Sequence, residues 1–441
     1  MSEYFLAIIG GGPAGYTAAE EASKAGKKVI LFEQNALGGT CLNVGCIPTK
    51  TLLYSAKQYY NASHGDKYGV TAENVRFDYA KMQQRKTKVV RKLVAGIRAK
   101  LNNECCTVIA GAASVVSRTD EKVVIACGES QYEAENLLIC TGSTNFVPPI
   151  PGVKDNPNVW DSTAALDAKE LPASIAIVGG GVIGMEFATL YHELGVSVTV
   201  IEAMPTILPN LDQEVVTILR EKYEKAGIKI LTDTKVEEID GQKIKANGEW
   251  LEADKILISV GRRANIQGLK ALTDLEYNRG AIVVDDFMKT NLPNVYAAGD
   301  VTGKIMLAHV ASRQAEVAVG RMLKQIPLQR IAYNAIPSVV YTNPEIASVG
   351  ITENEFDAEI HRLPMTFSGR FVAENEGETG LCKMLIDKKS HAILGVHMIG
   401  NPCSEFVAAA SFAVRMGYTV SEFKQVVFPH PTVSEILKEV L

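Results

Sequence analysis

The stretch Gly10-Gly11-Gly12-Pro13-Ala14-Gly15 sits directly behind the apolar run Tyr4–Ile9 and opens an alanine-rich segment, Ala14–Ala25. A second apolar run, Lys28–Glu33, follows and ends on an acid. The pattern predicts strand, tight turn, helix, strand. In the spacing G-x-G-x-x-G, Gly10 permits the turn, Gly12 lets the backbone approach a pyrophosphate, and Gly15 lets helix and strand pack closely. The helix N-terminus offers free N–H groups and the positive end of its dipole to that anion. Glu33 stands where a carboxylate accepts hydrogen bonds from a ribose. The same unit recurs at strand Ser174–Val178, turn Gly179-Gly180-Gly181-Val182-Ile183-Gly184, helix Ile183–Leu194 and strand Ser197–Glu202. An acid at Glu202 favours the free 2′-hydroxyl of NAD and repels the 2′-phosphate of NADP.

Working outward, each unit has a later strand that ends on glycine. Leu137–Cys140 runs into Thr141-Gly142, and Ile256–Val260 into Gly261-Arg262. The proline-rich segment from Val147 to Gly152 reads as a crossing between domains. After Gly261 the chain returns, with a further strand Val295–Ala298 before Gly299-Asp300. From about Tyr333 the pattern changes to strands Ile336–Tyr341, Lys383–Asp387 and Ile393–Ile399 and a helix Glu405–Met416, with no glycine fingerprint. The expected fold is α/β: two Rossmann-like dinucleotide-binding domains and a C-terminal α+β domain. The expected segments are 1–147, 148–262, a returning part 263–332, and 333–441.

Composition agrees with several domains: 441 residues, 47% hydrophobic, are too many for one core. The net charge of -5 comes from 45 basic and 50 acidic residues, and no basic stripe is read in the chain, so nucleic acid is not an expected partner. No apolar run reaches the roughly 18 residues of a membrane span. The start, Met1-Ser2-Glu3-Tyr4, lacks the basic residues of a signal peptide. A cytoplasmic, reducing location is expected. Six of the eight cysteines (Cys105, Cys106, Cys127, Cys140, Cys382 and Cys403) read as small hydrophobes.

Cys41 and Cys46 are different. They lie in Gly38-Gly39-Thr40-Cys41-Leu42-Asn43-Val44-Gly45-Cys46-Ile47-Pro48-Thr49-Lys50. Five helical steps rise about 7.5 Å, whereas a disulfide needs Cα atoms roughly 4.4–6.8 Å apart. A regular helix therefore cannot carry the bridge, and Gly45 and Pro48 are placed to allow a distortion. Such a short loop makes a poor staple and a readily reduced disulfide. Metal binding is disfavoured, because no second cysteine pair stands at zinc spacing; inert thiols leave the glycines and Lys50 unexplained. A redox pair is the expectation.

Two dinucleotide folds and a redox cysteine pair resemble the class I pyridine nucleotide–disulfide oxidoreductases, and within them the dihydrolipoamide dehydrogenase family. The resemblance spans essentially the whole chain. Beyond the fingerprints and the cysteine stretch it rests on Gly179–Glu186, Ser259–Arg263, Ala297–Asp300, Leu307-Ala308-His309, Pro337–Gly350 and His430-Pro431-Thr432-Val433-Ser434-Glu435. It implies FAD in the first unit, at Gly10, Gly12, Gly15, Glu33, Gly39, Thr40, Lys50 and Gly142. Asp300 is implied at the ribityl chain, the Ala308 backbone at the ring, and the turn containing Ala113 near the adenine. NAD is implied in the second unit, at Gly179, Gly181, Gly184, Glu202 and Gly261. It further implies a pairing of Lys50 with Glu186, a homodimer through the C-terminal domain, and a lipoyl-bearing protein of a 2-oxo acid dehydrogenase or glycine cleavage system as partner. No metal is implied.

Thiol oxidation needs a base, and His430 is the histidine with a motif. Pro431 suits a helix's first turn, and one turn returns Glu435 to the imidazole, where a carboxylate orients the ring and favours its charged form. The sequence departs from the family at Phe428, where a second histidine is usual. Rival readings are a glutathione- or mercuric-reductase-like enzyme and a flavin-containing redox sensor. Glu202 argues against a basic NADPH pocket, and the ending Lys438-Glu439-Val440-Leu441 lacks a cysteine pair.

Overall fold

The computed structural model describes residues 3–327 and 330–441. The chain divides into two compact units. One comprises residues 1–51, 83–146 and 261–331, the other 52–82, 147–260 and 332–441.

In the first unit the strand Tyr4–Ile9 is the centre of a sheet ordered 106–110, 29–33, 4–9, 130–139, 123–127, 113–118. The returning strand Val295–Ala297 pairs with the strand Ser130–Ile139. Ile8 stands between Leu31 and Leu138 in parallel register. Parallel pairing buries both faces, which is why Leu6, Ala7, Ile8 and Ile9 are apolar without alternation. The helices Pro13–Lys24 and Ala308–Met322 lie against each other. Ala14, Ala18 and Ala22 on one and Ala311, Ala315 and Ala318 on the other belong to one buried cluster. Small side chains three or four apart let two backbones approach, so a larger residue there overpacks the contact at about 1–3 kcal/mol.

The helix Tyr79–Leu101 was not expected. It carries no Asp or Glu, while Lys and Arg recur from Lys81 to Lys100. The expectation of no basic stripe does not hold here. A net charge summed over the whole chain hides a local concentration of one sign.

The second unit holds a parallel sheet in the order 229–231, 197–201, 174–178, 255–258, 159–160. Beside it are an antiparallel meander, 236–240, 243–246 and 249–252, and a five-stranded antiparallel sheet. That sheet runs 338–340, 346–350, 393–399, 381–386, 359–364 and packs the helix Cys403–Met416 against it. One cross-strand row is polar: Ser348, His397, Lys383 and Arg362 are register neighbours. The Lys383 side chain is fully buried. Its ammonium is 2.8 Å from Asp212, 3.0 Å from Glu214 and 2.8 Å from Glu353. Arg362 reaches the outer two carboxylates from the solvent side.

A buried cation with three carboxylates resists loss of one member more than replacement of all of them. Lys383→Ala leaves the buried Asp212 uncompensated. It is expected to destabilise the fold by about 3 kcal/mol, the low end for a broken buried pair, because Glu214 and Glu353 remain partly wetted. Urea unfolding of the variant and of Lys383→Met/Asp212→Leu checks this: the double variant should recover most of the loss.

Candidate active site

The cysteine segment is built by interrupting a helix. A short helix, Gly39–Asn43, ends at Val44 (φ -139°, ψ 22°), and a new helix, Cys46–Ser63, begins at the second cysteine. Asn43 Nδ2 donates to the carbonyls of Leu37 (3.1 Å) and Gly39 (3.0 Å), and the Thr49 hydroxyl donates to that of Gly45 (2.7 Å). These side-chain bonds brace the chain on either side of the break. Cys41 and Cys46 stand as two thiols. Their shared hydrogen bond, with burial, raises the Cys41 pKa far above that of a free thiol, while Lys50 pulls it down.

The segment is seated on the first glycine turn. Gly39 has φ +54°, and a Cβ there would stand 2.6 Å from Gly12 Cα. The turn has no spare room either, since a Cβ on Gly15 would meet the Gly10 carbonyl oxygen at 1.8 Å. The helix Pro13–Lys24 starts from Gly12 with no side-chain cap, so its first N–H groups face outward for an anion. The Glu33 carboxylate is held from both sides, by Gly11 N–H at 2.7 Å and Asn35 N–H at 2.7 Å. Gly111 N–H donates to the Glu33 carbonyl, so the turn before Ala113 lies beside this acid. Ala113 itself is the first residue of a strand.

Asp300 begins a 3-10 turn after Gly299. Its Oδ2 accepts a 2.5 Å hydrogen bond from the Ser143 hydroxyl, next to Gly142. Ser143 in turn accepts from Arg262 Nε at 2.7 Å, and Arg262 also donates to Thr40 Oγ1 at 3.4 Å. Arg262 and Ser143 carried no role in the sequence reading. Their one signal was position, each directly after a strand-ending glycine. Ala308 is the first residue of its helix, where backbone N–H groups have no intrahelical acceptor. This glycine turn, acid, open helix start and part-buried polar cluster fit an adenine dinucleotide carrying a polar side arm.

The second unit repeats the device. Glu202 accepts from Gly180 N–H at 2.6 Å and from Met204 N–H at 2.8 Å, and the helix Val182–Glu193 starts uncapped at Gly181. A Cβ on Gly184 would meet the Gly179 carbonyl oxygen at 2.0 Å. Gly261 (φ +122°) belongs to the first unit. The same helix buries two carboxylates. Glu186 accepts from Tyr341 N–H at 3.1 Å, and Glu193 from Asn343 Nδ2 at 2.8 Å. Burial pushes the Glu193 carboxyl up to about 7, against the pull of Asn343, Lys57 and Lys222.

At the C-terminal tip, His430 Nδ1 lies 3.0 Å from Glu435 Oε1, and the ring is otherwise exposed. Pro431 does not lie in a helix's first turn. Thr432 is the cap, locked with Glu435 in a capping box, and Val433–Glu435 form a 3-10 turn. Glu435 therefore serves the cap through Oε2 and the imidazole through Oε1. Both bonds hold its pKa below the usual carboxylate range. Phe428 packs inward, 5.8 Å from the Phe423 ring, and anchors the segment. Among the described residues no group of three or more His, Cys, Asp or Glu side chains could hold a metal ion.

Residues 4–315 match the pyridine nucleotide-disulphide oxidoreductase family, and residues 336–441 match its dimerisation domain. The chain belongs to the pyridine nucleotide-disulphide oxidoreductase family. A dihydrolipoyl dehydrogenase of Chlamydia muridarum is 37% identical over 454 residues, covering 100% of this chain and 96% of its own. Among solved structures, LpdA of Mycobacterium tuberculosis superposes with TM-score 0.92 at 26% identity, covering 99% of this chain and 98% of its own. The HOCl-induced flavoprotein disulfide reductase RclA of Escherichia coli gives TM-score 0.87 at 30% identity, with 99% of each chain covered. This oxidoreductase is accordingly a flavoprotein enzyme whose cofactors are FAD and NAD.

The raised Glu193 pKa has a pH consequence. The folded state holds this proton more tightly than the unfolded chain, so the stability it confers is present below about pH 4.5 and lost as pH rises through about 7. Glu193→Gln removes that slope. Its stability should match the parent near pH 5 and exceed it at pH 8 by about 2–3 kcal/mol. Thermal or urea unfolding across that range measures the difference; parallel curves would refute the assignment.

Proposed function

We propose that this enzyme is a dihydrolipoyl dehydrogenase, oxidising protein-bound dihydrolipoyl groups while reducing NAD. The observation that carries the reading is a cysteine pair held by an interrupted helix against the first glycine turn, in a chain full-length similar to dihydrolipoyl dehydrogenases. Bound FAD supplies two-electron chemistry between sulfur and NAD.

The chain's own groups do the rest. His430 of a second copy, oriented by Glu435, takes a proton from one substrate thiol. The thiolate attacks Cys41 of the oxidised pair, a mixed disulfide forms, and Cys46 leaves as a thiolate. The second substrate thiolate displaces Cys41 and releases the cyclic disulfide. Cys41, displaced as a thiolate, takes up the proton that the second substrate thiol gives up. Lys50 supplies positive charge that favours the thiolate, and the family resemblance assigns Glu186 as its counter-charge. Glu33 and Asp300 orient FAD, while Glu202 selects NAD. The enzyme works as a homodimer through its dimerisation domain in a reducing, cytoplasmic compartment. Among the described residues, no helix is long and apolar enough to cross a membrane.

A second reading, a reductase for another disulfide, is favoured by Phe428 in place of the usual histidine and by the likeness to RclA. Side-by-side turnover with dihydrolipoamide, glutathione disulfide and mercuric ion separates the two. The first reading expects fast dihydrolipoamide-dependent NAD reduction, weak use of NADP, and no turnover after Cys41→Ser or Cys46→Ser. His430→Gln should slow thiol oxidation by about 10²–10⁴-fold, the usual worth of a general base. NADH oxidation by an artificial dye should change little. Equal loss in both assays would reject His430 as the base.

A further inference from the structure

The helix Tyr79–Leu101 carries a stripe of positive charge that the proposed chemistry does not use. Lys88 and Lys92 are one turn apart, with Arg91 beside them, and all three are exposed. Lys100 pairs with Glu20, but Lys88, Arg91 and Lys92 have no ion pair among the described residues. Like charges at this spacing destabilise a helix. The stripe therefore costs stability that nothing within the described chain returns.

The stripe belongs to the same unit as the redox pair and is tied to the segment that follows it. Arg85, one turn before Lys88, donates from Nη1 to the Thr51 carbonyl at 2.9 Å. Thr51 is in the helix that begins at Cys46, about 7.5 Å along its axis from that cysteine. On its inner face the basic helix sends Val94, Ile97 and Leu101 into the cluster that also contains Cys41 and Ile47.

We propose that Lys88, Arg91 and Lys92 form an electrostatic docking surface for an acidic protein, the carrier that presents the dithiol to Cys41; the identity of the carrier rests on the dihydrolipoyl reading above. Size and charge argue for a protein over other polyanions. The three residues span about 6 Å of helix axis. A nucleic acid or an anionic bilayer extends well past them and meets a molecule of net charge -5. Leu93, 39% exposed, is the apolar residue within the stripe, which is too little to insert into lipid. A compact acidic surface fits the charge, and the field steers its encounter towards the cysteines.

The test uses the full-length holoenzyme carrying Lys88→Glu/Arg91→Glu/Lys92→Glu, with the milder Lys88→Gln/Arg91→Gln/Lys92→Gln in case reversal impairs folding. The substrates are free dihydrolipoamide and a reduced lipoyl domain of net negative charge. KM for the domain should rise about tenfold in the variants and lose its salt dependence. Turnover of free dihydrolipoamide should stay within about twofold. An unchanged KM for the domain, or equal losses with both substrates, overturns the proposal. If the parent enzyme oxidises neither substrate, the dihydrolipoyl reading fails. The surface is then judged by direct titration with the labelled domain, a short DNA duplex and phosphatidylserine vesicles at about 150 mM salt. Domain binding that the variants lose supports it; domain binding that they keep, no domain binding, or tighter binding of DNA or vesicles overturns it.

Discussion

The first unit depends on one backbone-to-backbone contact, that of Gly39 with Gly12. A Cβ on Gly39 would stand 2.6 Å from Gly12 Cα, so no side chain fits at Gly39. Gly39 adopts a left-handed conformation that a residue with a Cβ reaches only at a cost. Everything downstream is measured from this contact: Thr40, Cys41, the break at Val44-Gly45 and the restart at Cys46. The Asn43 amide and the Thr49 hydroxyl hold the interrupted helix in register. The loop from which the uncapped helix Pro13–Lys24 starts is thereby also the seat of the sulfur pair. Cofactor binding and sulfur placement cannot drift apart without breaking it.

The two fingerprints are built alike but are not equally open. In each, a carboxylate at the second strand's end is held by one N–H from the glycine turn and one from two residues on. A Cβ on Gly12 would meet Gly39 Cα at 3.8 Å, whereas a Cβ on Gly181 would meet nothing within 4 Å.

Much of this was legible in the sequence because the residues concerned act locally. Tyr4–Ile9, Ser174–Val178 and Ile393–Ile399 are observed as strands over the expected residues. The failure of a regular helix between Cys41 and Cys46 followed from rise per residue alone. Glu435 reaches His430 as one turn of chain predicts, although Thr432 and not Pro431 starts that turn. What escaped were relations across long separations. Ser143, Arg262 and Asp300 meet through a sheet edge that joins distant segments, and no spacing encodes their contact. Lys383 has no charged neighbour in its strand, and Asp212, Glu214 and Glu353 are brought to it only by folding.

The basic helix is hidden for another reason: a summed charge carries no position. A near balance of 45 against 50 charges says nothing about where each sign lies. Electrostatic steering depends on local field, which decays over about 8–10 Å in physiological salt. A segment whose charged residues are all basic acts at that range whatever the rest of the chain carries. Its placement is the informative part. The stripe is tied through Arg85 and Thr51 to the helix that starts at Cys46, so a carrier held at the stripe is held by the unit that also bears the sulfur pair. The physics that hides the stripe in a net charge therefore lets it act locally without making the whole molecule sticky.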